Sequence, residues 1–238
     1  LYPEKLDDRL IELLSQHPVV TPYVDMPLQH ASDSMLRIMK RGHGGDRLRR
    51  LVERLRGSID ELTFRTAFIV GHPGETDADF DELCELVAWA DFDRVGVFLY
   101  SDEDESHSHS LAAKVADDVA SERAERLSAM ARRIAHDRTR QLVGKTVEVL
   151  VEGGSDEHEA VLMGRHRGQA PEIDGQVYLS GIEYLARPPE PGEVVVAKLT
   201  QSSEYDLVGE VLELAEAAPE ARRRVALRVL GTDNRSIQ

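Results

Sequence analysis

The stretch IVGHPGETDADF, Ile69 to Phe80, decides the fold. Apolar residues run into Gly71-His72-Pro73-Gly74-Glu75, and an acidic helical pattern opens at Thr76. A buried strand that ends in a constrained turn and hands over to a helix is the unit of a parallel β/α fold, where ligands gather at the carboxyl ends of strands. Two readings of the turn stand. In one, Gly71 and Gly74 let the backbone approach a flat or zwitterionic ligand, and Glu75 accepts a hydrogen bond. In the other, the glycines satisfy turn geometry and Thr76 caps the helix. A phosphate cradle does not fit, since a P-loop needs Lys and then Ser or Thr where Glu75-Thr76 stands.

The same alternation extends on both sides. VVTPYVDM before it and FDRVGVFLY after it read as strands, with TFRTAFIV between them. KLDDRLIELLSQH carries Leu6, Leu10, Leu13 and Leu14 at helical spacing. SDSMLRIMKR reads as a helix capped by Ser32 or Asp33, and GDRLRRLVERLRG as one opened by Asp46 and closed by Gly57. DADFDELCELVAWA has its acids in the first turn, where the helix dipole favours them. After a polar stretch, SDEDESHSHSL, one long helix follows in ASERAERLSAMARRIAHDRTRQLVG.

From Lys145 the period changes. KTVEVLVEG, HEAVLMGRH, GQVYLSG, GEVVVAKLTQ and YDLVGEVLE are short strands, separated by turn signals at Gly153-Gly154, Asp174-Gly175 and Pro191-Gly192. Five strands of that length fit a small barrel of oligonucleotide-binding type. The expected fold class is therefore α/β plus all-β. A partial β/α barrel with a long connecting helix takes residues 1–143, a five-stranded β-barrel takes 144–211, and a tail takes 212–238.

Composition narrows the function. The 238 residues carry 44 acids against 29 Lys and Arg, a net charge of −15, which disfavours a nonspecific nucleic-acid coat. Between Gln141 and Glu210 thirteen acids face five bases, which suits a basic protein partner better than RNA. No apolar run is long enough to span a membrane, and the single Cys84 excludes a disulfide framework or a cysteine-held cluster, so a cytoplasmic setting is expected. Leu1 in place of Met reads as the start of a piece of something longer.

The strand ends are where chemistry is expected. Gln29 and His30 end the first, Gly71 and Glu75 the second, Phe98 and Tyr100 the third. Strand polarity alone predicts that these six converge in one pocket. His107 and His109 lie among carboxylates but lack a third ligand at helical spacing, so a solvated loop is expected there and no metal site. Cys84, mid-helix between Leu83 and Leu86, reads as a buried inert thiol.

These segments in this order resemble the radical S-adenosylmethionine methylthiotransferases. PYVDMPLQHASDSMLRIMKRGH, FRTAFIVGHPGETDADFDEL and FDRVGVFLYS carry the likeness in the first half, and GKTVEVLVEG with YDLVGEVLE is similar to the small barrel called TRAM. DMPLQHASD and RGQAPEIDGQVYL resemble the RimO type, which modifies a ribosomal protein, more than the transfer-RNA-modifying MiaB type. The resemblance implies a partial radical SAM barrel, S-adenosyl-L-methionine bound at the strand ends, and [4Fe–4S] clusters held by upstream cysteines absent from this chain. It implies methylthio insertion at the β-carbon of an aspartate in protein twelve of the small ribosomal subunit, with an external electron donor. Alone, without those cysteines, the chain is expected to be inactive. Glu172 and Asp174, in the loop QAPEIDG, are expected to face outward and dock the ribosomal protein, with Ile173 buried as their anchor. A noncatalytic docking module and a transfer-RNA-directed enzyme are the alternatives, and the acidic barrel weighs against RNA.

Overall fold

Three parallel strands organise the first half of the computed structural model, which describes residues 1–104, 107–154 and 161–215. They are β1 (Tyr23–Asp25), β2 (Thr63–Val70) and β3 (Arg94–Leu99), hydrogen-bonded in that order. Around them run α1 (Asp8–Gln16), α2 (Asp33–Ile38), α3 (Gly45–Ser58), α4 (Asp77–Ala90) and α5 (Asp117–Arg140). Alternation along β2 sorts its two faces. Phe64, Thr66, Phe68 and Val70 are buried in a core shared with apolar residues of all five helices, while Arg65, Ala67 and Ile69 stay part-exposed on the opposite, concave face. Parallel sheets normally have both faces covered. Here the helices cover one.

The caps explain where the helices begin. Thr76 accepts from the backbone N–H of Asp79, and Asp79 accepts in return from Thr76, a reciprocal capping box that starts α4. Ser32 caps α2. α3 departs from expectation: Gly44 stands at its N-cap rather than Asp46, and the helix continues through Gly57 to Ser58. Its first free N–H, on Gly45, donates to the Asp33 carboxylate at 2.8 Å, so a neighbouring helix replaces the cap. Along α5, Arg123, Leu127, Ala131, Ala135 and Thr139 form a buried stripe at four-residue spacing, which lays the helix along the sheet.

The second half is a closed five-stranded barrel, as its turn spacing leads one to expect. β4 (Thr146–Gly154), β5 (Leu162–His166), β6 (Val177–Ser180), β7 (Val194–Ser202) and β8 (Leu207–Leu214) close in the order β4-β5-β6-β8-β7. Valines, leucines and Ala197 fill its interior. The expected strand at HEAVLMGRH is described only from Val161, and residues 216–238 of the tail lie outside the described residues.

The β5–β6 loop crosses to the sheet. Asp174 accepts from the Tyr23 hydroxyl at 2.7 Å and from the Ala170 N–H at 2.8 Å, and the Arg94 guanidinium lies 3.8 Å away. Tyr23 and Arg94 are the first residues of β1 and β3, so the loop seats at the amino-terminal end of the sheet, on the concave face. Arg94 also stands over the Tyr205 ring, and Thr139 Oγ1 donates to the Glu204 carbonyl at 3.3 Å. This corrects the expected docking pair. The Asp174 side chain is 1% exposed and faces the sheet, and Ile173, expected as the buried anchor, is 55% exposed. The physical reason is demand: Tyr23 and Arg94 present a buried donor and a buried charge that need an acceptor, and a left-handed residue at Glu172 (φ 67°) turns Asp174 towards them. Glu172 itself stays exposed.

Candidate functional site

At the carboxyl ends of β1–β3 lies a cavity of about 650 Å³. Gln29, Ile69, His72, Phe98 and Tyr100 line it, with Gly96 leaving room on the β3 side. Gln29 donates its N–H to the Ala67 carbonyl (3.0 Å) and accepts from the Ile69 N–H (2.9 Å), so the β1 line continues beside β2 up to the cavity. It does so in the left-handed region (φ 71°), a conformation costly for a side-chain-bearing residue and most often kept at functional positions. Phe98, 57% exposed, shares the face of its register partner Ile69 and gives the cavity an apolar wall, while Leu99, 52% exposed, alternates to the other face of the strand. Tyr100 meets the His72 ring edge-on at 4.9 Å, and His72 Nε2 bonds Ser108 Oγ at 2.7 Å, which fixes the rim.

Of the six expected residues, Gln29, Phe98 and Tyr100 meet in this cavity. The other three stand behind it. Glu75 Oε2 accepts from the N–H groups of Gly71 (2.6 Å) and His72 (3.3 Å), and Oε1 accepts from Arg123 Nη1 (3.1 Å). Arg123 Nη2 continues to Asp77 at 2.6 Å. Burial pushes the Glu75 carboxyl up, while Arg123 and the two N–H groups pull it back. Its acceptors are spent on its own turn and on α5. Gly71 (φ 75°) lies so close to α5 that an added Cβ would stand 2.5 Å from the Ala120 Cβ. The second reading of the opening turn therefore accounts for these contacts: the glycine and the carboxylate hold the turn against a helix.

His30 is fully buried, with Nδ1 accepting from the Ser32 N–H at 3.2 Å and Nε2 unpartnered. Burial lowers its pKa from 6.5 to about 4, against a raising contribution from Asp79. His166, beneath the loop contact, is lowered to about 4 by burial and then by Arg94. Both rings are neutral in the folded chain and take up protons on unfolding. The unfolded state thus binds more protons between pH 6.5 and about 4, and stability falls as pH drops through that window. Urea midpoints recorded across it are expected to decline steadily; a flat profile would contradict the buried neutral histidines.

Two lining residues escaped the sequence reading. His72 stands inside the opening turn and lines the cavity, outside the six expected residues. Arg41, just past α2, gave no signal beyond its charge, yet it reaches the same cavity. On that face Asp25 and Arg65 pair with each other at 3.0 Å.

The residues can also be tested against an iron–sulfur cluster. Cys84 is the one cysteine of the sequence, and it is buried in α4 within the core, its thiol pushed up by burial. Among the described residues no group of three or more His, Cys, Asp or Glu could hold a metal ion, and His109 bonds Asp102 at 3.1 Å in the exposed rim. A cluster does not fit this chain's own residues. No helix of the described residues is long and apolar enough to cross a membrane.

Comparison with known proteins agrees with this architecture. The family model described as the radical SAM superfamily matches residues 3–87, and the TRAM domain model matches residues 143–212. A Sorangium cellulosum protein named ribosomal protein uS12 methylthiotransferase RimO is 59% identical over 251 residues, covering 100% of this chain and 50% of that protein. The protein of the same name from Solibacter usitatus is 47% identical over 218 residues, covering 92% of this chain and 46% of its own length. The chain spans about half the length of the curated relatives it matches. Among solved structures, the Escherichia coli coproporphyrinogen III oxidase HemN, a radical SAM enzyme, aligns with 70% of this chain and 43% of its own, at 12% identity and a TM-score of 0.44. With a radical SAM match over residues 3–87, a TRAM match over residues 143–212 and relatives so named along its whole length, the chain is similar to about half the length of the radical SAM methylthiotransferases of the RimO type.

Proposed function

We propose that this chain is part of a cytoplasmic enzyme that inserts a methylthio group at the β-carbon of an aspartate in protein twelve of the small ribosomal subunit. The observation that carries the reading is the strand-end cavity joined to a TRAM barrel in a chain 59% identical to a relative named for that activity. S-adenosyl-L-methionine fits the cavity by its surfaces. Phe98 with Ile69 gives an apolar wall for a purine ring, and Gln29 an amide for a hydroxyl or ring nitrogen. His30, Gly71 and Glu75 act on the site indirectly, by setting the shape of the turn beneath it. The chemistry that the cofactor supplies when bound is hydrogen abstraction from an unactivated carbon. The residues of this chain would orient the cofactor and keep water from the reacting carbon.

The cluster must be held by residues outside this chain, because one buried thiol cannot replace three. Anaerobic reconstitution of the chain alone with iron and sulfide is expected to leave it colourless, and a stable brown product with stoichiometric iron would refute this division of labour. An external reductant is the second partner. For docking, Glu172 and the remaining acids of the barrel are the candidates, and Asp174 is not.

The test is mass spectrometry of the ribosomal protein after incubation with the complete, cluster-loaded enzyme, cofactor and reductant. One modified aspartate is expected. An unmodified ribosomal protein together with modified transfer RNA would move the chain to the RNA-directed branch.

A further inference from the structure

A second cavity, of about 340 Å³, lies where the strands begin, between the sheet and the barrel. That volume falls in the range of small-molecule sites. Thr63 and Arg94, the first residues of β2 and β3, line it from the sheet, and His166, the last residue of β5, lines it from the barrel. Each offers a hydrogen-bond donor that nothing accepts among the described residues. The Arg94 side chain is 11% exposed. Its Nη1 donates to the Asp93 carbonyl at 2.7 Å, but its Nε is buried without a hydrogen-bond partner and its Nη2 has none either. Asp174 balances the charge from 3.8 Å, beyond hydrogen-bond reach, and its carboxylate already accepts from Tyr23 and Ala170. His166 is neutral and accepts the Gly168 N–H through Nδ1 at 3.0 Å, so its ring proton sits on Nε2, which meets no acceptor. The buried Thr63 makes no hydrogen bond through its hydroxyl.

Buried donors without an acceptor carry a desolvation cost that an acceptor-rich ligand removes. The carboxylate of Asp93, also at the cavity, cannot serve, because Arg56, Arg138 and the Phe64 N–H take both of its oxygens. At the rim Lys145 and Arg167 stand with Glu61 and Glu148, all exposed and none in an ion pair among the described residues. The rim is therefore neutral in sum, and selectivity comes from the floor. Its donors belong to three separate elements, and Arg94 Nε with Nη2 forms the two-pronged edge that grips an oxyanion. A tetrahedral phosphate turns acceptors towards all of them, whereas a carboxylate offers two in one plane.

We propose that this cavity binds a phosphate group, held between Thr63 and Arg94 of the sheet and His166 of the barrel. No residue lines both cavities, so the inference stands apart from the methylthio chemistry proposed above. Two sources share the chemistry: the free ion, and a nucleoside monophosphate whose sugar and base fill the remaining volume.

Equilibrium dialysis of inorganic phosphate, and separately of uridine monophosphate, against the complete, cluster-loaded protein tests this. One saturable site per chain is expected. Tighter binding of inorganic phosphate names the free ion as the source, and tighter binding of uridine monophosphate names a nucleotide. Arg94→Gln is expected to weaken the bound ligand about tenfold to a hundredfold. Arg94→Lys recovers only part of that loss, because it keeps the charge without the fork. Arg94 also neighbours Asp174, so Thr63→Val is the companion variant: it keeps the shape, leaves the loop contact alone and is expected to weaken binding about threefold to tenfold. No saturable binding of either ligand in the millimolar range overturns the inference. Binding of equal strength in the parent, Arg94→Gln and Thr63→Val overturns it too, since the ion is then held elsewhere.

Discussion

Replacing Glu75 by Ala is expected to lower the stability of the chain by about 3–5 kcal/mol, the range for breaking a buried ion pair by deleting one partner. The side chains of Glu75 and Arg123 are 0% and 8% exposed. Removing the carboxylate strands the guanidinium with Asp77, whose side chain is 96% exposed, and leaves the Gly71 and His72 N–H groups with no acceptor. Each loss is a desolvation cost that water reaches poorly at this depth. Asp77→Ala is the control, because its ion pair is screened by solvent and should cost under about 1 kcal/mol. Urea unfolding of the two variants gives the comparison. Equal, small losses would show that the turn is held by packing of α5 alone.

Asp174→Ala is expected to cost about 3 kcal/mol and to loosen the two halves of the molecule from each other. The substitution removes the acceptor of the Tyr23 hydroxyl and the Ala170 N–H, and leaves Arg94, 11% exposed, without its nearest carboxylate. Scanning calorimetry should then show the sheet and the barrel melting separately, where the parent chain melts in one step. Tyr23→Phe deletes one hydrogen bond and spares the charge, so a loss of about 1 kcal/mol is expected. Glu172→Ala, two residues away and exposed, should fall within about 0.5 kcal/mol of the parent. A single transition in Asp174→Ala with a parent-like midpoint would remove the loop from the interface energetics.

What could be read from the sequence was what depends on neighbours along the chain. TFRTAFIV announces its strand by alternation, Thr76 its helix by the acids that follow, and the barrel by Gly and Pro at regular intervals. What could not be read depends on partners far away. Tyr23 and Asp174 are 151 positions apart, and no local property of QAPEIDG says that its second carboxylate turns inward. Arg123 reaches Glu75 across 48 positions, so a residue that looked like a ligand contact proved to be a strut. The cap of α3 fails for the same reason, since Asp33 from the preceding helix serves Gly45. Cys84 and the apolar stripe of α4 were legible because burial follows the helical period, and the long reach of Arg41 was not because it follows none.

The loop from the barrel seats at the starts of the strands, whereas the cavity opens at their finishes. β2 measures the distance to the far rim: from the Tyr23–Thr63 register, where the loop seats, to the Val70–Leu99 register is seven steps, roughly 23 Å. The cavity wall reaches back along the strand to Arg65 and Asp25, so loop and cavity share one face of the sheet. A partner that grips the barrel and also presents a side chain at the Phe98 end must span most of that length, about seven residues fully stretched. For shorter peptides the barrel is a bystander, and any benefit it confers should grow with substrate length.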